Sequence, residues 1–187
     1  MRRVRRRGRK VAKRLVLLLA AVVGAGTLAG GTGWVVKAML EPLQTETPLP
    51  PGAELIKRTD GKLQRNDLDC GIAALVALGE FVGIDIPYNR LADSVKLTPV
   101  GSSFRALTGA AATYGLELRG YRFGAEAAMP PAPWIGHLSF GAMGHYVVVE
   151  EVRGGRVIVL DPAIGRLGYG EGAFRELWSG NALLPSR

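Results

Sequence analysis

The sequence predicts an α+β domain, with N-terminal helices packed on an antiparallel sheet, after one N-terminal transmembrane helix. Three observations carry this. An uncharged run follows a basic cluster at the start of the chain. Apolar residues at helical spacing dominate residues 70–115. Alternating, Val- and Ile-rich stretches broken by glycine turns dominate residues 116–160.

The N-terminal element rests on charge and length. Nine of the first fourteen residues are Arg or Lys, and residues 15–36 are 22 residues without a charge. At about 1.5 Å rise per residue, such a run spans a hydrocarbon core of roughly 30 Å. Basic flanks stay cytoplasmic, so residues 1–14 form a cytoplasmic tail and the rest of the chain lies on the periplasmic or extracellular side of the inner membrane. Trp34 suits an interfacial anchor. A cleaved signal peptide, with Thr27-Leu28-Ala29 at its cleavage site, competes with this reading. Continuation of the run through Val35 and Val36 favours a signal anchor that stays in the lipid.

Charge elsewhere excludes one class of partner. The formal net charge is +8, but residues 1–40 hold ten of the 24 Lys and Arg and none of the 16 Asp and Glu. The remainder is therefore slightly acidic, with 14 basic side chains against 16. It carries no basic stripe interleaved with aromatics, so nucleic acid is not an expected partner. A single cysteine, Cys70, excludes a disulfide scaffold and a thiolate-built zinc site. No metal or other cofactor is expected.

Residues 37–58 include Pro42, Pro48, Pro50 and Pro51 and read as a Pro-rich linker. A compact pattern begins at residue 59 and runs to 187, enough for a single core. Residues 70–81 are apolar nearly all round and predict a buried helix. A short helix follows over 88–95. Ser102 or Ser103 caps a third, with Phe104, Leu107 and Ala111 on one face and Gly115 ending it. Strands are expected over 116–123 and 132–140, a hairpin over 146–152 and 157–160, and a short terminal helix over 173–178.

The chemistry centres on Cys70. A lone thiol at a helix start suggests a nucleophile, because the helix's positive end and a nearby imidazolium both favour the thiolate. Gly71 removes side-chain bulk beside the sulfur. The polar flank of Asn66, Asp67 and Asp69 argues against a fully buried thiol. Of two histidines, His137 lies inside an apolar strand and reads as structural. His145 follows Gly141-Ala142-Met143-Gly144, which leaves space before its ring. Hairpin register decides whether Asp161 reaches it. A three-residue loop over 152–154 pairs 145 with 161 and lets the carboxylate fix the imidazole tautomer. A two-residue Gly154-Gly155 turn would instead set Val148 opposite Asp161. Gln64, six residues before Cys70, can donate to an oxyanion together with the Cys70 N–H.

The ordered set of Gln64, Asp69-Cys70-Gly71, Gly144-His145-Tyr146-Val147-Val148 and Asp161-Pro162-Ala163-Ile164-Gly165 resembles the C39 peptidase family, the papain-like cysteine peptidases that process bacteriocin precursors. Ser103-Phe104-Arg105-Ala106-Leu107, Tyr114-Gly115-Leu116, Trp134, His137, Phe174, Trp178 and Gly180 are similar in order and spacing. The likeness covers residues 59–187. It implies a papain-like fold, with Cys70 as nucleophile, His145 as general base and acid, Asp161 as its orienter and Gln64 in the oxyanion hole. It implies cleavage after a small pair, typically Gly-Gly, in the leader of a peptide or protein precursor.

Family members fused to exporters carry a transporter membrane domain and an ATPase. These 187 residues hold one hydrophobic segment and no phosphate loop of the Gly-x-x-x-x-Gly-Lys-Ser/Thr kind. The expectation is therefore a stand-alone peptidase, anchored in lipid by its N-terminal helix, with a separate exporter as a possible partner. Two alternatives stand beside it: a peptidase-like domain that binds a leader or partner without cutting it, and another thiol acyl-transferase or amidase.

Overall fold

The structure, a computed structural model, describes residues 47–59 and 63–186. The expected basic tail (1–14), signal anchor (15–36) and first part of the linker lie outside the described residues. Among the described residues, no helix is long and apolar enough to cross a membrane.

The first helices form where the apolar pattern places them. Helix α1, Cys70–Val82, has nine buried residues and ends at Gly83, whose φ of 78° suits a left-handed cap. Helix α2 is Tyr88–Ser94, and α3 is Phe104–Ala112. Ser103 caps α3 by accepting from the Ala106 N–H, and Leu107, Ala110 and Ala111 face inward.

The sheet has seven strands: β1 Ala53–Arg58, β2 Leu118–Arg122, β3 Trp134–Phe140, β4 Met143–Arg153, β5 Arg156–Asp161, β6 Gly165–Gly170 and β7 Trp178–Pro185. Their order is β1-β6-β5-β4-β3-β7-β2, and every pairing is antiparallel. Strand β1 takes the last six residues of the expected linker, 53–58, into the sheet against β6. Its burial pattern is mostly exposed because it is an edge strand, so no core-facing alternation marks it.

The core has two halves, one on each face. Ile135, Tyr146, Val148 and Leu183 pack with Ile72, Leu75, Leu78, Leu91 and Leu107 of the first three helices. Trp134, Val147, Val149, Val157 and Val159 pack on the other face with Phe174 of α4, Glu171–Leu177. The helices are thus not confined to one face. Each fully buried Leu, Ile or Phe contributes on the order of 1.5–3 kcal/mol, and period-two alternation along β4 feeds both halves.

The β4–β5 hairpin differs from the three-residue loop expected. Arg153 pairs with Arg156 across a two-residue turn, with Gly154 at φ 58° and Gly155 at φ 73°. Two positive φ values in succession favour glycine at both places. The register then slips between Val149 and Glu151, leaving Glu150 as an extra residue, and resumes with Val149 opposite Val159 and Val148 opposite Leu160. Carried one step further, this register sets Asp161 opposite Val147. The bulge therefore returns Asp161 to the side of the ladder that His145 shares with Val147.

Candidate active site

Cys70 is the first residue of α1 and is only 5% exposed, although it lines an open cleft. The polar flank did not keep it in water. Asp69, immediately before it, is also buried, and its carboxylate is satisfied from several directions. It accepts from the Arg65 N–H at 3.1 Å, the Asn66 N–H at 3.2 Å, the Asn66 side-chain amide at 2.9 Å and the Tyr88 hydroxyl at 2.5 Å. Burial, followed by the Asp69 hydrogen bond and charge, holds the Tyr88 phenol protonated well above its usual range. Asp69 thus gathers the loop that leads from Gln64 to the nucleophile. The sequence signal was an Asp directly before a helix, which ordinarily reads as an N-cap. Here that side chain makes no cap hydrogen bond and serves the loop instead.

His145 lies on β4 with Nε2 3.1 Å from Asp161 Oδ2, and it also hydrogen-bonds Cys70. With Nε2 given to the carboxylate, the other ring nitrogen remains for the sulfur. Burial alone would lower the His145 pKa. The hydrogen bonds to Asp161 and Cys70, reinforced by their charges, reverse this and raise it to about 10.

Asp161 ends β5, fully buried, and its two oxygens have separate duties. Oδ2 meets His145, while Oδ1 accepts from the Ala163 N–H at 2.8 Å. The second contact closes a side-chain turn over Pro162 and fixes the carboxylate plane. Pro162 in turn holds the remaining expected residue. Its carbonyl accepts from the N–H groups of Leu63 at 2.9 Å and Gln64 at 3.1 Å. Gln64 is buried, and its Oε1 has no hydrogen-bond partner. An unspent buried acceptor of this kind is a place for a donor atom of a ligand or water.

Four residues chosen from the sequence, Gln64, Cys70, His145 and Asp161, are thus carried by one loop, one helix start and the ends of two paired strands. Sequence reasoning missed the cleft that Cys70 lines. About 600 Å³ of space lies beside Cys70, lined by the 99–102 loop, His137, the 141–144 turn and Tyr146. Val100, 86% exposed, and Met143, 71% exposed, stand on its rim. Gly71 does free space, but the protein fills it. A Cβ there would lie 2.4 Å from Ser102 Oγ and 3.0 Å from the Tyr146 ring. Among the described residues, no group of three His, Cys, Asp or Glu could hold a metal ion.

This architecture has known relatives. The Peptidase C39 family model matches residues 59–187. The lactococcin-G-processing and transport ATP-binding protein of Lactococcus lactis subsp. lactis is 28% identical over 126 residues, 65% of this chain and 18% of that protein. The chain therefore spans under a fifth of that relative's length. A protein of Methanothermobacter marburgensis is 29% identical over 136 residues, 73% of this chain and 91% of its own.

Among solved structures, a double glycine motif protease from an AMS/PCAT transporter, in complex with its leader peptide, superposes with a TM-score of 0.59 at 26% identity. It covers 70% of this chain and 98% of that one. The peptidase domain of Streptococcus ComA, a bi-functional ABC transporter of a quorum-sensing pathway, gives 0.57 at 24% identity, covering 66% and 94%. With helices before an antiparallel sheet, a thiol at the first helix start and an imidazole–carboxylate pair on adjoining strands, the chain belongs to the Peptidase C39 family and has its papain-like fold.

Proposed function

We propose that this protein is a cysteine peptidase that hydrolyses a peptide bond after a small pair, of the Gly-Gly type, in a leader or precursor. The observation that carries the reading is the linked set of Cys70, His145 and Asp161, with His145 bound to both partners. The leader-bound protease to which the chain is similar supports the substrate class.

The steps follow from the geometry. His145 takes the proton of the thiol as general base. The Cys70 sulfur adds to the substrate carbonyl carbon, and the oxygen takes up the electron pair. Gln64 and the Cys70 N–H stabilise that oxyanion. His145 passes its proton to the leaving amine as the C–N bond breaks, which leaves a thioester. Water then adds to the thioester and gives a proton to His145. The C–S bond breaks, and the leader departs as a carboxylate. Asp161 holds the ring in the tautomer and orientation that both transfers need.

The same proposal places the domain outside the cytoplasm, tethered by residues 15–36 in the inner membrane and able to work beside a separate exporter. Support comes from the basic cluster and the uncharged run that follows it. Because Cys70 is retained, cleavage is favoured over binding alone.

The test is direct. Purified protein incubated with a Gly-Gly leader peptide should yield products that mass spectrometry maps to the bond after the pair. Cys70→Ala should abolish both cleavage and alkylation by iodoacetamide while keeping the wild-type circular dichroism spectrum. Full cleavage by Cys70→Ala would refute the mechanism.

A further inference from the structure

The segment from Gln64 to Asp69 has no helix or strand of its own, so its shape comes from what grips it. One grip is the Pro162 carbonyl, which accepts from the Gln64 N–H at 3.1 Å. The other comes from α2, a helix that lines no part of the cleft beside Cys70. Tyr88 opens α2 directly after Pro87, and Leu91, fully buried, seats that helix in the core. The Tyr88 hydroxyl donates to Asp69 Oδ2 at 2.5 Å, across 19 positions of sequence. Burial, then the Asp69 hydrogen bond and charge, keeps the phenol protonated, so it remains a donor.

Arg65, the immediate neighbour of Gln64, is held at both ends. Its N–H donates to Asp69 Oδ1 at 3.1 Å, and its guanidinium lies over the Tyr88 ring, 4.0 Å from the centroid. Arg65 Nη1 also donates to Asn89 Oδ1, from the second residue of α2. The start of α2 therefore meets residue 65 by three routes: the carboxylate that Tyr88 steadies, the Tyr88 ring, and Asn89. Asp69 carries the grip one residue further, accepting from the Asn66 N–H at 3.2 Å and the Asn66 amide at 2.9 Å. Oxyanion donors stabilise charge only when aimed in advance at the atom where it develops. A misplacement of about 1 Å in a reacting site can cost 10²-fold in rate.

We infer that Tyr88 is a positioning residue for the oxyanion site: through Asp69 and Arg65 it fixes the loop that carries the Gln64 amide to the substrate oxygen, and it touches no substrate itself. The inference rests on the peptidase reading and extends it to a side chain on a helix outside the cleft. The hydroxyl acts through the Asp69 carboxylate, and the ring acts through the Arg65 guanidinium.

The experiment is a double-mutant cycle in the full chain, read as cleavage of a Gly-Gly leader peptide by Tyr88→Phe, Gln64→Ala and the two combined. Tyr88→Phe keeps the ring under Arg65 and removes only the hydroxyl. It should lower kcat about ten-fold, less than complete loss of an oxyanion donor. KM should stay within about two-fold of wild type, because the interaction is made in the transition state. In the Gln64→Ala background the same change should cost under about two-fold, since the group it positions is gone. Equal losses of kcat in both backgrounds, the mark of a role in stability alone, overturn the inference, and so does an unchanged kcat in Tyr88→Phe. Arg65→Met loses the stack and the Asn89 contact. It should show the same dependence on Gln64, and it carries the test where Tyr88→Phe fails to fold.

Amide hydrogen exchange, followed by NMR, reads the same grip without turnover. The Arg65 and Asn66 N–H groups should exchange several-fold faster in Tyr88→Phe than in wild type, while those of β3 and β4 keep their rates. Where wild type cleaves the peptide, the cycle decides; where it does not, exchange decides. Faster exchange in a protein that cleaves no Gly-Gly peptide overturns the peptidase reading and leaves Tyr88 as the holder of this loop. Unchanged exchange together with no cleavage overturns both.

Discussion

Nε2 of His145 reaches Oδ2 of Asp161 at 3.1 Å because β4 carries one extra residue, Glu150, within its pairing with β5. Without Glu150 the two-residue glycine turn would send the Asp161 carboxylate to the opposite side of the sheet. Glu150 itself is tied down, with Oε2 2.6 Å from Arg166 Nε on β6. The bulge is thus held by an ion pair whose arginine lies two strands away from the histidine it serves.

Replacing the carboxylate should show in pH dependence as well as rate. In the folded protein His145 is raised from 6.5 to about 10, so it binds its proton more tightly folded than unfolded. The linked stabilisation is complete below about pH 6.5 and disappears as pH rises through about 10. Thermal unfolding of wild type should therefore lose stability across that window, and Asp161→Asn should lose less. The same variant should lower kcat by about 10²-fold or more, because the ring loses its orientation and its charge partner.

Gln64→Ala separates oxyanion stabilisation from substrate binding. Loss of one such donor costs on the order of 10²–10³ in kcat. KM should change far less, since the donor is used chiefly when charge develops on the substrate oxygen. Steady-state kinetics on the Gly-Gly peptide reads both. A rise in KM at constant kcat would remove Gln64 from that role.

Asp69→Ala should act on stability first. It strips acceptors from the Arg65 and Asn66 N–H groups and from the Tyr88 hydroxyl, in a buried setting. Each donor left unsatisfied costs about 1–3 kcal/mol. Urea denaturation should show a loss of about 3 kcal/mol, with the transition slope unchanged.

Gly71→Ala tests how tightly the cleft floor is packed. The added methyl would meet Ser102 Oγ, the Tyr146 ring and Leu107 Cδ1 at 2.4, 3.0 and 3.1 Å. Overpacking of this kind costs about 1–3 kcal/mol. Differential scanning calorimetry should report a lower Tm even though alanine is the better helix former.

The sequence made the helices and the meeting of His145 with Asp161 legible and left much of the sheet dark. Helix α1 is nearly all apolar and its neighbours α2 and α3 have clear boundaries, so their positions were readable to within a residue or two. Strand β6, Gly-Arg-Leu-Gly-Tyr-Gly, offers three glycines and no alternation to mark it. Strand β7 begins directly where α4 ends, with no turn residue between them. Strand β1 hid among the prolines of the expected linker. The hairpin was placed correctly with the wrong register, because a bulge has no residue signature: Glu150 looks like any polar residue of an alternating strand. The right pairing of His145 with Asp161 was therefore reached by a different route, through two compensating irregularities. The cleft floor was unreadable for a related reason. Whether Tyr146 and His137 face a core or a ligand depends on which loop crosses them.

The Pro162 carbonyl bonds to the backbone of Leu63 and Gln64 have a consequence for how the domain acquires activity. Residue 64 precedes the first helix, whereas residue 162 lies beyond the long hairpin. Contacts between segments so far apart in the chain form only after local structure has organised, since a large loop must close before they reward it. Under the proposed peptidase reading, the amide assigned to the oxyanion and the carboxylate that meets the imidazole are consequently seated by one late closure. A partly folded chain already owns its thiol but has no competent centre around it. On that reading reactivity arrives with the last tertiary contacts, and the domain is protected from its own chemistry until it is whole.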